Sequence, residues 1–149
     1  ISGYHRGLCL KSIVYRGTPD YHGLVFGLDK GGSCQGMAFR IAPENVDSEL
    51  QRVWRREMFA ETYIPTWVCV KTENGDVYAI TFVINTKHEH YVQDLDLEKI
   101  AERVVLAEGK CGSCHDYVLN TVKCLHQLEL RDPVLEQLLT LIKDPHITV

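Results

Sequence analysis

Residues Asn45–Val70, NVDSELQRVWRREMFAETYIPTWVCV, change periodicity part-way, and that change narrows the folds open to the chain. Val46, Leu50, Val53, Trp54 and Met58 recur at helical spacing, the apolar stripe of an amphipathic helix. Pro43 suits its first turn, Glu44 and Asp47 suit the helix dipole, and Pro65 marks its end after a turn. Beyond it, Thr66–Thr72 and Val77–Ile84 flank Asn74-Gly75, a strong hairpin signal. At about 100° per residue, Glu57 falls in line with Val46 and Val53, while Arg55 points the opposite way and Arg56 to one side. A carboxylate on a core-facing stripe costs several kcal/mol unless it is paired, hydrogen-bonded or protonated. One reading has the helix lying shallowly, with Glu57 at a wet edge or paired with a nearby arginine. The other gives Glu57 a chemical task. Periodicity by itself favours the first.

On either side of this helix the chain supplies strands and then helices. Ser2–Val14 is predicted as a strand running into the turn-rich Tyr15–Asp20. Gly23–Asp29 and Ser33–Ile41, joined by Lys30-Gly31-Gly32, are predicted to pair as a hairpin, because apolar residues alternate in the second run. Asn85–Asp94 is polar and loop-like. Leu97, Ile100, Ala101, Val104 and Val105 make a helical stripe. Ser113 with Asp116 resembles a capping box, and Asp132-Pro133 opens a last helix. The order is α+β.

A length of 149 residues fits one domain with a real core. The net charge of -4 gives no electrostatic reason to expect nucleic acid, and no apolar run reaches membrane-spanning length. Of the six cysteines, four lie in apolar patterns, which is read as reduced thiols in a cytoplasmic protein and not as three disulfides. Cys111-Gly112-Ser113-Cys114-His115 matches the spacing of covalent haem attachment, but the further ligands of a zinc site and the βαβ setting of a redox motif are missing. A glycine-containing loop whose serine caps a helix is the better reading. His88-Glu89-His90 reads as a solvated loop, with a metal site the weaker alternative.

Several segments in order are similar to a known family. Gly3-Tyr4-His5-Arg6, Tyr15-Arg16-Gly17-Thr18-Pro19 and Gly31-Gly32-Ser33-Cys34-Gln35-Gly36-Met37-Ala38-Phe39-Arg40 resemble the ChaC family of γ-glutamylcyclotransferases. Arg56-Glu57 ahead of a tyrosine and a strand, and Asp116-Tyr117-Val118-Leu119-Asn120, continue the likeness, which covers nearly the whole chain. The resemblance implies an enzyme of the glutathione-specific type, a lyase forming 5-oxoproline and releasing cysteinylglycine in the cytoplasm. Its partner would be a small-molecule substrate, glutathione or another γ-glutamyl amide, with no nucleic acid, no membrane, no cofactor and no metal. It also implies a small mixed β-barrel with flanking helices.

Carried over residue by residue, Glu57 matches the family's catalytic glutamate. Tyr63 matches the tyrosine shortly after it, and Tyr117 a tyrosine near the substrate in the late helix. Many members have a Gly-Gly pair before the first tyrosine, where this chain has Glu61-Thr62 and a spacing one residue longer. The family also begins with a strand ending in a Tyr-Gly-Ser loop that cradles the γ-glutamyl group, and none precedes Gly3. Residues 1–149 are therefore expected to be one γ-glutamylcyclotransferase-like domain lacking that strand and loop. The alternative is a non-catalytic module of the same fold that binds γ-glutamyl ligands. Because the C-x-x-C-H segment lacks the partners that a metal or haem site requires, chelation with EDTA and growth without haem are expected to leave activity unchanged. Stoichiometric zinc or iron by elemental analysis would overturn this expectation.

Overall fold

The chain reverses beside the predicted Asn74-Gly75 pair, with Glu73-Asn74 as the loop and Gly75 opening the second strand. In the computed structural model, which describes residues 1–143, β3 (Tyr63–Thr72) and β4 (Gly75–Ile84) pair antiparallel from Thr72↔Gly75 to Tyr63↔Ile84. Gly75 carries a φ of 110°, a left-handed value that costs glycine nothing. Ahead of this hairpin, a 3-10 turn at Pro43–Asn45 leads into α1 (Val46–Met58). Proline serves at this start because the first amides of a helix have no internal partner. The helix ends at Met58, seven residues before Pro65, which lies inside β3.

Earlier in the chain, β1 (Ser2–Ser12) pairs with β2 (Gly23–Ser33). Ile1 and Cys34 exchange two backbone hydrogen bonds, of 2.9 and 3.0 Å, at the open end of that ladder. This corrects the predicted hairpin of Gly23–Asp29 with Ser33–Ile41. The glycines at 31 and 32 do not turn the chain back, and β2 runs through them to Ser33. Residues 35–42 form no strand, and Met37 and Phe39 stand 60% and 84% exposed. Their alternation is real, but the long-range partner β1 takes the ladder that a local hairpin would have used.

The C-terminal part is helical, as the stripes predict. It comprises α2 (Leu97–Leu106), α3 (Cys114–Gln127) and α4 (Pro133–Ile142), with a two-residue ribbon of β5 (Glu108–Gly109) and β6 (Gly112–Ser113) before α3. Each helix has an acidic or hydroxyl cap. Asp96 accepts from Lys99 N at 2.9 Å, Ser113 from Asp116 N at 3.0 Å and Asp132 from Leu135 N at 3.3 Å.

The fold is mixed α+β, but the barrel expected from the resemblance is not formed. Among the described residues the sheets are three separate two-stranded ladders, β1-β2, β3-β4 and β5-β6. Closure requires each strand to have two neighbours, and here each has one.

The chain divides into two compact units. One takes Ile1–Gly7 and Gly27–Tyr91, and the other Leu8–Phe26 and Val92–Val149, described to Lys143. The second holds a well-packed core of Leu8, Leu24, Ala101, Val104, Val118 and Leu138, each at most 7% exposed, with further apolar residues around them. The first is thinner. Val68, Val83 and Ile84 are buried, whereas α1 contributes no buried residue.

In the second unit the backbone itself is the tight contact. Lys110 N donates to Val14 O and Cys111 N to Tyr15 O, both at 2.9 Å, which lays the ribbon turn along the loop after β1. A Cβ on Gly109 would lie 2.6 Å from Gly17 N and 2.7 Å from Val14 O, both immovable backbone atoms. Gly109→Ala is expected to lower the urea midpoint by an amount equivalent to about 2–3 kcal/mol. An unchanged midpoint would show that the loop and ribbon can separate at no cost.

Candidate functional site

Helical phase places Glu57 where the sequence indicates. The half-buried positions of α1 are Val46, Glu49, Leu50, Val53, Glu57 and Met58, a single stripe. Trp54 meets Phe82 of β4 edge-on at 6.2 Å, so this side of the helix faces the β3–β4 hairpin. The Glu57 side chain is 20% exposed, and its Oε1 lies 2.6 Å from both Nε and Nη2 of Arg56. Adjacent helical residues do not face each other, so the long arginine side chain must fold back to make this contact. Arg56 itself is 76% exposed, and an ion pair with so wet a partner is worth at most about 1 kcal/mol. Both features of the shallow reading are present, the unburied helix and the arginine pair. Neither ties up the carboxylate strongly.

Tyr63 opens β3 and is half-buried opposite Ile84. Side chains two apart on a strand share a face, so Tyr63, Pro65 and their partners Ile84 and Phe82 line the surface that Trp54 touches. Between α1 and β3, Glu61 takes a φ of 53°. This is the left-handed conformation for which glycine is suited, at the place where many members of the resembled family carry a glycine pair. Asn85 pins the link, donating from Nδ2 to Glu61 O at 3.0 Å and from its backbone N to Thr62 O at 2.8 Å.

The second unit carries Tyr117. It lies on α3, half-buried, with its ring 5.3 Å from that of Phe26 and its hydroxyl oxygen accepting from Phe26 N at 3.2 Å. The Arg16 guanidinium stands over the same ring, 5.3 Å from its centroid. Nη1 of Arg16 donates to Cys111 O and, at 3.4 Å, to Ser113 O. Sequence reasoning did not single out Arg16. The available signal was an arginine set between Tyr15 and the rigid Gly17-Thr18-Pro19 turn, but its targets lie some 95 residues further along the chain.

The C-x-x-C-H segment is structural. Cys114 is fully buried, its thiol donating to Leu24 O at 3.1 Å and accepting from Leu24 N at 3.4 Å, so a side chain takes the place of a neighbouring strand beside β2. Cys111 is exposed in the ribbon turn, and Ser113 caps α3. His88 and His90 meet edge to face at 5.1 Å. Among the described residues no group of three or more His, Cys, Asp or Glu side chains is arranged to hold a metal.

The description "ChaC-like protein" fits residues 1–145. This chain belongs to the ChaC-like family. It is 33% identical over 142 residues to the glutathione-specific γ-glutamylcyclotransferase of Escherichia coli (strain K12), covering 95% of this chain and 62% of that protein. The chain thus spans about three fifths of the E. coli relative's length. Its identity to the γ-glutamylcyclotransferase 2-3 of Arabidopsis thaliana is 28%, over 89% of this chain and 71% of the relative. A crystal structure of a yeast γ-glutamylcyclotransferase specific to glutathione superposes with a TM-score of 0.77 at 16% identity, covering 96% of this chain and 85% of that one. That likeness shows the ChaC-like chain's fold.

Burial pushes the Cys114 thiol above its ordinary 9.0, outweighing the Leu24 backbone bond and the Arg16 charge that pull it down. Burial likewise raises the Tyr117 phenol above 10.0, against the Phe26 amide that lowers it. Both groups hold their protons more tightly folded than unfolded. The stability they carry is complete below the ordinary thiol value of 9.0 and is lost as pH climbs toward and through the raised values. Urea midpoints measured from about pH 7 to about pH 11 are expected to fall at the alkaline end, and Cys114→Ala to flatten that fall. An identical alkaline slope in the variant would contradict the burial of this thiol.

Proposed function

We propose that this ChaC-like chain is a γ-glutamylcyclotransferase that cleaves glutathione to 5-oxoproline and cysteinylglycine. The observation that carries the reading is its 33% identity, over 95% of its length, to a protein named as glutathione-specific. In the proposed reaction the α-amine of the γ-glutamyl group attacks its own γ-carbonyl carbon. A five-membered lactam forms, the γ-amide C–N bond breaks, and no water is consumed. Glu57 takes a proton from the attacking nitrogen and returns it to the departing amine of cysteinylglycine, one carboxyl serving both halves. Because the closure is intramolecular, holding the substrate bent supplies much of the rate. Tyr63 and Tyr117 are the proposed substrate contacts, and the reaction as drawn requires no metal and no cofactor.

The exposed Arg56 pair supports this assignment, because so weak a contact can be exchanged for a substrate amine at little cost. A cytoplasmic setting is part of the same proposal. It is supported by six free cysteines, while no helix among the described residues is long and apolar enough to cross a membrane.

Glu57→Gln keeps the shape of the side chain and removes its basicity. It is expected to lower 5-oxoproline release by about 10²–10⁴ while the thermal midpoint stays at that of the parent. Parent-like turnover in the variant would end the assignment of Glu57. Glutathione binding by calorimetry without product from the parent chain would favour the binding-module reading.

A further inference from the structure

Arg16 is placed with unusual completeness for a loop residue. Its backbone N donates to Ser12 Oγ at 2.9 Å, and the residues before it are pinned to the ribbon through Lys110 and Cys111. The next residue, Gly17, is closed in by the backbone of Ser12 and Gly23, and its own N leaves no room for a side chain at Gly109. The guanidinium base is therefore held by backbone. Its far end is held too, by Nη1 on the carbonyls of Cys111 and Ser113 at the entrance to α3. What this fixed plane covers is the ring of Tyr117.

The phenol is thereby constrained at three points. Arg16 covers the ring, Phe26 packs against it, and the Phe26 amide donates to its oxygen. A phenolic oxygen that accepts a backbone N–H still has one hydrogen of its own to give. Among the described residues no acceptor takes that hydrogen. Burial keeps the group protonated, so it remains a donor through the neutral range.

We infer that Arg16 is a positioning residue, which locks the ring of Tyr117 so that its free O–H is presented as a hydrogen-bond donor to an electron-rich oxygen of the substrate. The acceptor is a carboxylate or the γ-carbonyl oxygen that becomes negative as the ring closes. This rests on the proposed role of Tyr117 as a substrate contact. The planar guanidinium is what matters, because its Nη1 holds both carbonyls while its flat face lies over the ring, and a lysine ammonium has no such face to present.

The test is a double-mutant cycle with Arg16→Lys and Tyr117→Phe, read by kcat/KM for 5-oxoproline release and, separately, by urea midpoint. Arg16→Lys is expected to cost roughly tenfold to a hundredfold in kcat/KM in the parent, a loss typical of a slightly misplaced group. In the Tyr117→Phe background, where the hydroxyl is already gone, the same change is expected to cost less than about twofold. Equal losses in both backgrounds would overturn the inference, leaving Arg16 a clamp on the ribbon only. So would parent-like kcat/KM in Arg16→Lys.

The second readout does not depend on turnover. In isotope-labelled tyrosine NMR, the Tyr117 ring resonances are expected to shift and its ring flips to quicken in Arg16→Lys. Unchanged resonances would sink the positioning role even in an inactive protein. Shifted resonances in a parent that releases no 5-oxoproline would instead sink the proposed function and leave the Arg16–Tyr117 contact standing.

Discussion

Backbone lying against backbone at Gly109 and Gly17 is the constraint on which the helical unit depends. Because no Cβ can enter there, the loop after β1 can hydrogen-bond along the β5–β6 turn. That contact brings Arg16 onto the carbonyls at the start of α3 and over Tyr117. Cys114 stands next in the chain, bonded by its thiol to both backbone groups of Leu24. Three features that look independent in the sequence, a turn, a C-x-x-C-H segment and a late tyrosine, are one assembly. Its cohesion comes from satisfied backbone groups as much as from apolar area.

The other unit works differently. Its helix α1 is amphipathic yet buries nothing fully, and the hairpin it rests on leaves Trp67 and Tyr78 70% and 79% exposed. A carboxylate can stand on the apolar stripe of such a helix because the stripe is only half-dry. Glu57 retains contact with solvent and with an exposed cation partner, so the several kcal/mol charged to a deeply buried ion do not apply. A shallow site is also an accessible one, and the general base proposed at Glu57 needs that access to take a proton from a small molecule.

How far the chain could be read beforehand follows from how local each signal is. The caps at Ser113 and Asp132, the Asn74-Gly75 reversal and the helical stripes depend on neighbours within about a turn, and each was found where sequence placed it. The hairpin assigned to Ser33–Ile41 failed because alternation is blind to partner choice. A strand at the start of the chain competed for β2 and won. The barrel failed for a related reason, since closure is a property of strand neighbours and not of any one strand. Of the site, the phase of Glu57 was legible, but its pairing with Arg56 ran against the spacing rule that two adjacent helical residues face apart.

The sequence by itself determined where the helices and the Asn74-Gly75 hairpin occur, that the class is α+β, and which carboxylate sits on an apolar stripe. These follow from periodicity and cap chemistry, which act over a few residues. Only the tertiary structure decided that Cys114 completes the hydrogen bonding of β2, that Gly109 must be glycine, and that Arg16 covers Tyr117. Each of these joins residues tens of positions apart in the chain, through contacts whose geometry no local pattern encodes.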